Sequence, residues 1–348
     1  MEPVTHFMTG ACLSRAGLNR KTAYATLAMT LAAEAPDLDI LWGFRGPVAN
    51  FQHHRGITHT LLGAPFVALA VVAFVWLFHR LRKKKPEQPV RWAFLYGFAL
   101  IAALSHLLLD FTNNYGLRPF FPFNPRWYSW DIVFIFEPVI FGVLLLALVV
   151  PGLLGITDRE IGVRRKPFRG RGWAIFALLA VVLVWIVRNA EHERALSLVR
   201  NGTFTDARIL KAAAQPYPVN PYKWFAIVET PDFFQSGLVN TRTGEARAND
   251  VVFYKPPVTM ATLAAKRSWL GHVYLDWSQF PLVVDQGNEI PPGLDGISPQ
   301  DTTVQFRDLR FAYSTMFLDA NRAPLSGWVV VDPERNIDTM VMNGQVQK

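Results

Sequence analysis

Four long apolar stretches in the N-terminal half restrict this chain more than any other feature. Residues 61–78 carry no charged side chain, and 92–109, 132–156 and 173–187 are nearly as apolar, interrupted by His106 in the second and Glu137 in the third. Stretches of about 18–20 residues match the hydrocarbon core of a bilayer. The last is only 15 residues long, but Arg171 and Arg188 at its ends have side chains long enough to reach the interface. A buried helix of a soluble protein imitates one such run; four in succession argue for membrane spans. Hydrophobic residues make up 51% of the 348 and mean hydropathy is +0.17, which points to a mixed protein with a polar part as well.

The net charge of +8 is concentrated in short loops, and this sets an orientation. Residues 80–91 carry Arg80, Arg82, Lys83, Lys84, Lys85 and Arg91 against Glu87, and 157–171 carry Arg159, Arg164, Arg165, Lys166, Arg169 and Arg171 against Asp158 and Glu160. The loop between, 110–131, has only Arg118 and Arg126 as basic residues. By the positive-inside rule the two basic loops are cytoplasmic and the middle loop is outside. Everything after about residue 189 is then expected outside the cytoplasm. The basic loops are short, juxtamembrane and without interleaved aromatics, so no nucleic-acid partner is expected. Glu2 stands where a secretory signal would be basic, and the single Cys12 excludes an internal disulfide framework.

Residues 4–16 and 22–34 are two helix-length segments joined by the turn-forming Gly17-Leu18-Asn19-Arg20-Lys21, and Pro36 ends the second. An antiparallel hairpin returns Asp37 to the end where His6 begins. From about residue 190 the apolar runs shorten, with a helix expected over 192–213, broken at Asn201-Gly202, and strands over 225–230, 250–255, 303–313 and 327–332. The expected fold is a mainly α integral membrane domain, an N-terminal helical hairpin plus about four transmembrane helices, over 1–189. A soluble α+β or β-rich domain follows over 190–348, with Trp224, Trp269 and Trp277 expected in its core.

Imidazoles and carboxylates gather at the outer ends of these helices. They are His6, Asp37 with Asp39, the run His53-His54-Arg55-Gly56-Ile57-Thr58-His59, and His106-x-x-x-Asp110. These side chains bind Zn²⁺, Mn²⁺ and Fe²⁺, and they are costly inside or beside a bilayer, where they mark functional sites. His106 and Asp110 are four apart, on one helical face. Gly56 allows the backbone between His54 and His59 to bend, and Thr58 is available as an N-cap. Each residue also has a plainer role: an Asp–His hydrogen bond satisfies His106 and Asp110 equally well, and Asp37 and Asp39 suit a helix cap. The topology nevertheless places His6, Asp37, His54, His59, His106 and Asp110 on one membrane face, although that was no part of their selection. They are the expected metal ligands.

The order Thr5-His6-x-x-x-Gly10, Pro36-Asp37-x-Asp39, His54-Arg55-Gly56-x-Thr58-His59 and His106-x-x-x-Asp110 resembles the YdjM-like bacterial inner-membrane proteins, a family described as metal-dependent hydrolases. The resemblance covers about residues 1–150, with Arg126-x-x-x-Trp130-Asp131 and Glu137-Pro138 included. Thr60 stands here for a family serine and Glu137 for a family aspartate; both keep a polar group. The resemblance implies an integral membrane hydrolase of the bacterial inner membrane that uses a divalent metal, and it implies no particular substrate.

The residues and the resemblance together predict metal-assisted hydrolysis of an ester or phosphoester. One or two divalent ions are expected, zinc first, with manganese or iron as alternatives. Asp39 is expected as a further ligand or general base, and Arg55 as a clamp for an anionic group. A site at the lipid–water boundary favours an amphiphilic, lipid or lipid-linked substrate. Two other readings are a non-catalytic scaffold with a structural metal site and a metal transporter or sensor. A transporter would carry ligands at several depths, whereas these cluster at one.

Overall fold

The computed structural model describes residues 1–160, 169–201, 204–315 and 325–347. Arg164, Arg165 and Lys166 of the second basic loop, and Gly202 of the expected helix break, lie outside the described residues. The chain forms two compact units, Met1–Asp39 with Arg55–Ala190, and Ile40–His54 with the described residues from Glu191 onward.

In the first unit the hairpin forms as α1 (Pro3–Arg15) and α2 (Ala25–Glu34). Gly17, at φ 145°, opens the turn between them. A Cβ on Gly10 would lie 2.6 Å from the Met29 carbonyl oxygen and 2.9 Å from Ala33 Cβ. The two backbones therefore approach as only glycine permits, the close small-residue contact common between membrane helices. At 1.5 Å per residue α1 is about 20 Å long and α2 about 15 Å, each shorter than a hydrocarbon core of about 30 Å. Neither crosses a bilayer by itself.

Four described helices are long and apolar enough to cross: α4 (Gly63–Leu81), α5 (Trp92–Thr112), α6 (Pro138–Glu160, apolar through Ile156) and α7 (Arg171–Asn201). The residue before α4 is Leu62, which offers no side-chain cap; the Thr60 hydroxyl accepts a hydrogen bond from Gly63 N at 2.7 Å, and Thr58 does not cap the helix. The third span starts later than its apolar run, because residues 132–137 are taken up by non-helical backbone, including a bridge between Asn113 and Val133. Proline then occupies the first helical position, where its missing N–H is harmless. Of the helix expected over 192–213, residues 192–201 are continuous with the fourth span in α7, whereas 204–210 are not helical and Lys211–Pro216 form a β-strand. Arg188 does not reach outward as expected. It is buried on Glu137 at 2.7 Å.

Small residues build the bundle core. Met29, Ala32 and Ala33 of α2 pack on Ala68 and Val71 of α4 and on Ala99 and Ala102 of α5. Met8 and Cys12 of α1 pack with Leu109, with Ile140 and Leu144 of α6 and with Ala174 and Ala177 of α7. The hairpin is thus held on both sides by spanning helices, which fixes His6 and Asp37 relative to α5.

The second unit carries two antiparallel meanders. The first is β1 (Lys211–Pro216), β2 (Lys223–Glu229), β3 (Phe233–Asn240) and β4 (Glu245–Tyr254), in that order. The second is β5 (Pro281–Asp285), β6 (Thr302–Asp308), β7 (Gly327–Val331), β8 (Ile337–Met342) and β9 (Gln345–Val346). Between them in sequence lie α8 (Met260–Arg267) and α9 (Trp269–Trp277). Ala195 and Val199 of α7 pack on Trp224 and Val239 of the first sheet. The short helix α3 (Pro47–His53) also belongs here: Phe51 meets Tyr274 and Trp277 at centroid distances of 5.8 and 5.1 Å. Trp224 and Trp277 are core residues as expected. Trp269 is not; it is exposed and donates its indole N–H to Gln52 Oε1 at 2.8 Å.

Candidate metal centre

The end of α2, the turn around His59 and the last turns of α5 converge. Among the described residues, Asp37, His59, His106 and Asp110 present ligating atoms that all lie within 4.8 Å of one another. His106 Nε2 is 3.0 Å from His59 Nε2, 3.6 Å from Asp37 Oδ1 and 3.4 Å from Asp110 Oδ2. His59 Nε2 is 3.2 Å from Asp37 Oδ1 and 3.5 Å from Asp110 Oδ2. Four ligands bound tetrahedrally at zinc-like distances have edges of about 3.3 Å. Five of the six edges here fall close to that value.

The outer atoms of both imidazoles decide which nitrogen faces inward. His106 Nδ1 donates to the Ala33 carbonyl at 2.7 Å; a carbonyl only accepts, so the proton is on Nδ1 and Nε2 is turned into the cluster as a lone pair. His59 Nδ1 lies 3.2 Å from the Asp39 carboxylate and 3.1 Å from the Thr58 hydroxyl, which orients that ring in the same way. Four acceptors facing one another at these distances are stable only around positive charge, a proton on His59 or a metal ion. Burial opposes an imidazolium, but hydrogen bonds to Asp37 and Asp39 outweigh it and hold His59 above its ordinary 6.5. Burial likewise opposes ionised Asp37, yet its bond to His59 and the nearby His106 bring the carboxyl down to about 2. Asp110 Oδ2, buried, has no hydrogen-bond partner, as expected of an oxygen suited to a cation.

Each expected site residue can now be placed. His6 adjoins the cluster without belonging to the four: its ring stacks on His106 at 3.7 Å, and Nε2 is 3.4 Å from Asp110 Oδ1. His54 follows α3 as its C-cap residue and is not among the converging ligands. Asp39 is buried, accepts the Arg55 backbone N–H at 2.7 Å and faces His59 Nδ1, so it braces the site from behind. Arg55 is buried too, with φ at 54°. Its Nη2 donates to Asp110 Oδ1 at 2.7 Å, its Nη1 to Asn113 Oδ1 at 3.1 Å and to the Gly116 carbonyl at 2.9 Å. The guanidinium lies 4.7 Å from the Tyr115 ring. Arg55 holds Asp110 rather than reaching for a ligand.

Sequence reading missed Asn113, Tyr115 and Glu34. The Asn113-Asn114 pair directly after an apolar helix was a signal for the first; nothing local pointed to the others. Glu34 closes α2 and its half-buried carboxyl is pushed up to about 7, by burial first and then by the charge of Asp37.

The chain is 27% identical over 149 residues to the uncharacterized protein YfhP of Bacillus subtilis (strain 168), an alignment covering 40% of this chain and 43% of that protein. The chain thus spans less than half the length of that relative. No solved structure matches. A family model for the YdjM inner membrane protein matches residues 1–195, a range that contains α4, α5 and α6, most of α7 and every residue of the cluster. The chain belongs to the YdjM inner membrane protein family.

Proposed function

We propose that this membrane protein is a metal-dependent hydrolase that cleaves an ester or phosphoester. The observation that carries the reading is the convergence of Asp37, His59, His106 and Asp110 at near-tetrahedral spacing. A divalent ion held by these residues, zinc best fitting the two imidazoles and two carboxylates, supplies Lewis acidity toward the substrate oxygen and toward water. The set suits one ion rather than two, because the Arg55 guanidinium already occupies the other oxygen of Asp110 and repels a second cation.

The chain's own residues divide the remaining work. The Ala33 carbonyl and Asp39 keep His106 and His59 turned inward. Arg55 fixes Asp110, and His6 covers one face of His106. Asp37 is the ligand most open to solvent, its side chain 20% exposed against 1% or less for the other three, and is the one able to yield a position to substrate. The Glu34 carboxyl, pushed up to about 7 by burial and by the charge of Asp37, is suited to hold a proton. Exposed Ile57, Leu61 and Leu62 flank His59 in sequence, an apolar setting that favours an amphiphilic, lipid or lipid-linked substrate.

A closed four-ligand set is also the arrangement of structural metal sites, which favours a scaffold as the second reading. The two separate in one experiment. Metal-loaded protein in vesicles releases a labelled head group from lipid if the hydrolase reading holds. A metal that raises the melting temperature while no ester or phosphoester is cleaved selects the scaffold.

We also infer that the cluster and the sheets lie outside the cytoplasm. The support is the basic segment Arg80–Arg91 after α4, with His59 before the other end of that helix. Alkaline phosphatase fused after residue 200 is expected to be active. A fusion that is inactive, while a fluorescent protein at the same point glows, reverses the orientation.

A further inference from the structure

The segment between the two aspartates and α3 is apolar, exposed and not part of any spanning helix. Residues Ala35–Arg45 form a 3-10 helix. On it Leu38 is 60% exposed, Ile40 66%, Leu41 57% and Phe44 91%. Large side chains are rarely left this open to water in one short segment, and contiguous exposed apolar surface marks an interaction site. The helical backbone bonds largely to itself, so the segment can leave water without stranding polar groups.

What covers it is indicated by its rim. Trp42 stacks on His53 at 3.8 Å and 18°, and the Arg45 guanidinium lies 4.8 Å from the Trp42 ring centroid. No carboxylate among the described residues pairs with Arg45. An aromatic ring and an unpaired cation at the edge of an apolar cluster are what the lipid head-group layer selects: the ring sits at the interface and the guanidinium meets phosphate. The C-terminal end of the segment is anchored, because Gln347 donates to the Arg45 carbonyl and accepts from Val48 N, both at 2.9 Å. A Cβ on Gly46, at φ 104°, would fall 2.3 Å from that amide.

We propose that residues 38–45 are a membrane-inserted interfacial segment, with Leu38, Ile40, Leu41 and Phe44 in the acyl region and Trp42 and Arg45 at the phosphate level of a phospholipid bilayer. Leu38 stands between Asp37 and Asp39, so this contact brings lipid next in sequence to the cluster. The proposal is independent of whether the protein is a hydrolase, since it concerns where a segment lies and not what is cleaved.

Depth-dependent quenching tests it on the full-length protein in nanodiscs of phosphatidylethanolamine and phosphatidylglycerol. Cys12 is the only cysteine and is buried, so the unmodified chain is the labelling blank. Phe44→Cys and Leu41→Cys each carry a bimane probe, and Glu334→Cys, on an exposed turn, is the aqueous reference. Insertion to about 5–10 Å predicts about twofold quenching of the Phe44 and Leu41 probes by lipids doxyl-labelled near the head group. Aqueous iodide should quench them far less than the Glu334 probe. Two replaced positions guard against one variant failing to fold. Iodide quenching equal to the reference overturns the proposal. So does protection from both quenchers, which would mean that protein, a second copy or a partner, covers the segment.

Discussion

His59→Ala and Asp110→Ala are expected to abolish metal binding by the detergent-purified protein, where the wild type carries about one equivalent of a divalent ion by elemental analysis. Each variant removes one of four ligands, and the two lie 51 residues apart on different elements, so loss in both establishes one shared site. Stability should separate them. Asp110 also faces the buried Arg55 guanidinium at 2.7 Å, and stranding that charge costs about 3–5 kcal/mol. His59→Ala takes an imidazole from the Asp37 and Asp39 carboxylates, but Asp37 is partly open to solvent and Asp39 keeps the Arg55 backbone N–H, so this variant should unfold closer to the wild type. Asp39→Asn keeps the four ligands but weakens the support behind His59, so metal affinity should fall by about 10–100-fold without vanishing. Full metal occupancy in both alanine variants would reduce these residues to a buried polar network.

Arg310→Ala is expected to destabilise the second unit by about 3–5 kcal/mol, because it leaves the Asp308 carboxylate buried and unpaired. The Arg310 guanidinium donates to Asp308 Oδ2 at 3.0 Å through Nε and reaches it at 2.8 Å through Nη2, and it lies 4.6 Å from the Trp277 ring. Ser278 Oγ and Gln279 N donate to the same carboxylate oxygen at 2.7 and 2.9 Å. Burial opposes the charged form, but Arg310 and these donors hold the Asp308 carboxyl below its ordinary 3.8. The sign follows by linkage. A carboxyl depressed in the folded state contributes stability that is present above pH 3.8 and lost as pH falls through its folded value. Asp308→Asn should therefore flatten the acid limb of the stability profile. Urea midpoints followed by tryptophan emission, wild type against both variants between neutral pH and pH 3, test both effects; unchanged midpoints in Arg310→Ala would remove the pair from the stability of this unit.

Strands of the second unit were legible where they are runs of apolar residues. GWVVV and KWFAIVE identify themselves through composition. KAAAQP and FFQSGLVN do not, because alanine and glycine have weak β preference and are held by their neighbours in the sheet. The continuous α7 was missed for a related reason. Glu191, His192 and Glu193 end the apolar run, but charged residues do not end a helix whose next face packs on Trp224.

By itself, the sequence determined the elements whose cause is local. Spans follow from uninterrupted apolar length, the hairpin from Gly17 and Pro36, and the kinds of ligand from the side chains present. Only the tertiary structure decided which of those side chains meet. It brought Asp37, His59, His106 and Asp110 within 4.8 Å of one another while leaving His54 out, a residue five positions from His59. It turned Arg55 onto Asp110 and set Asp39 behind His59. The reason is geometric. Residues 22 to 73 apart converge only through the packing of whole helices, here the approach of α1 to α2 at Gly10 and the seating of α2 against α5. A turn such as that at Arg55 is set by the buried partners of its side chain and not by the chain that enters it.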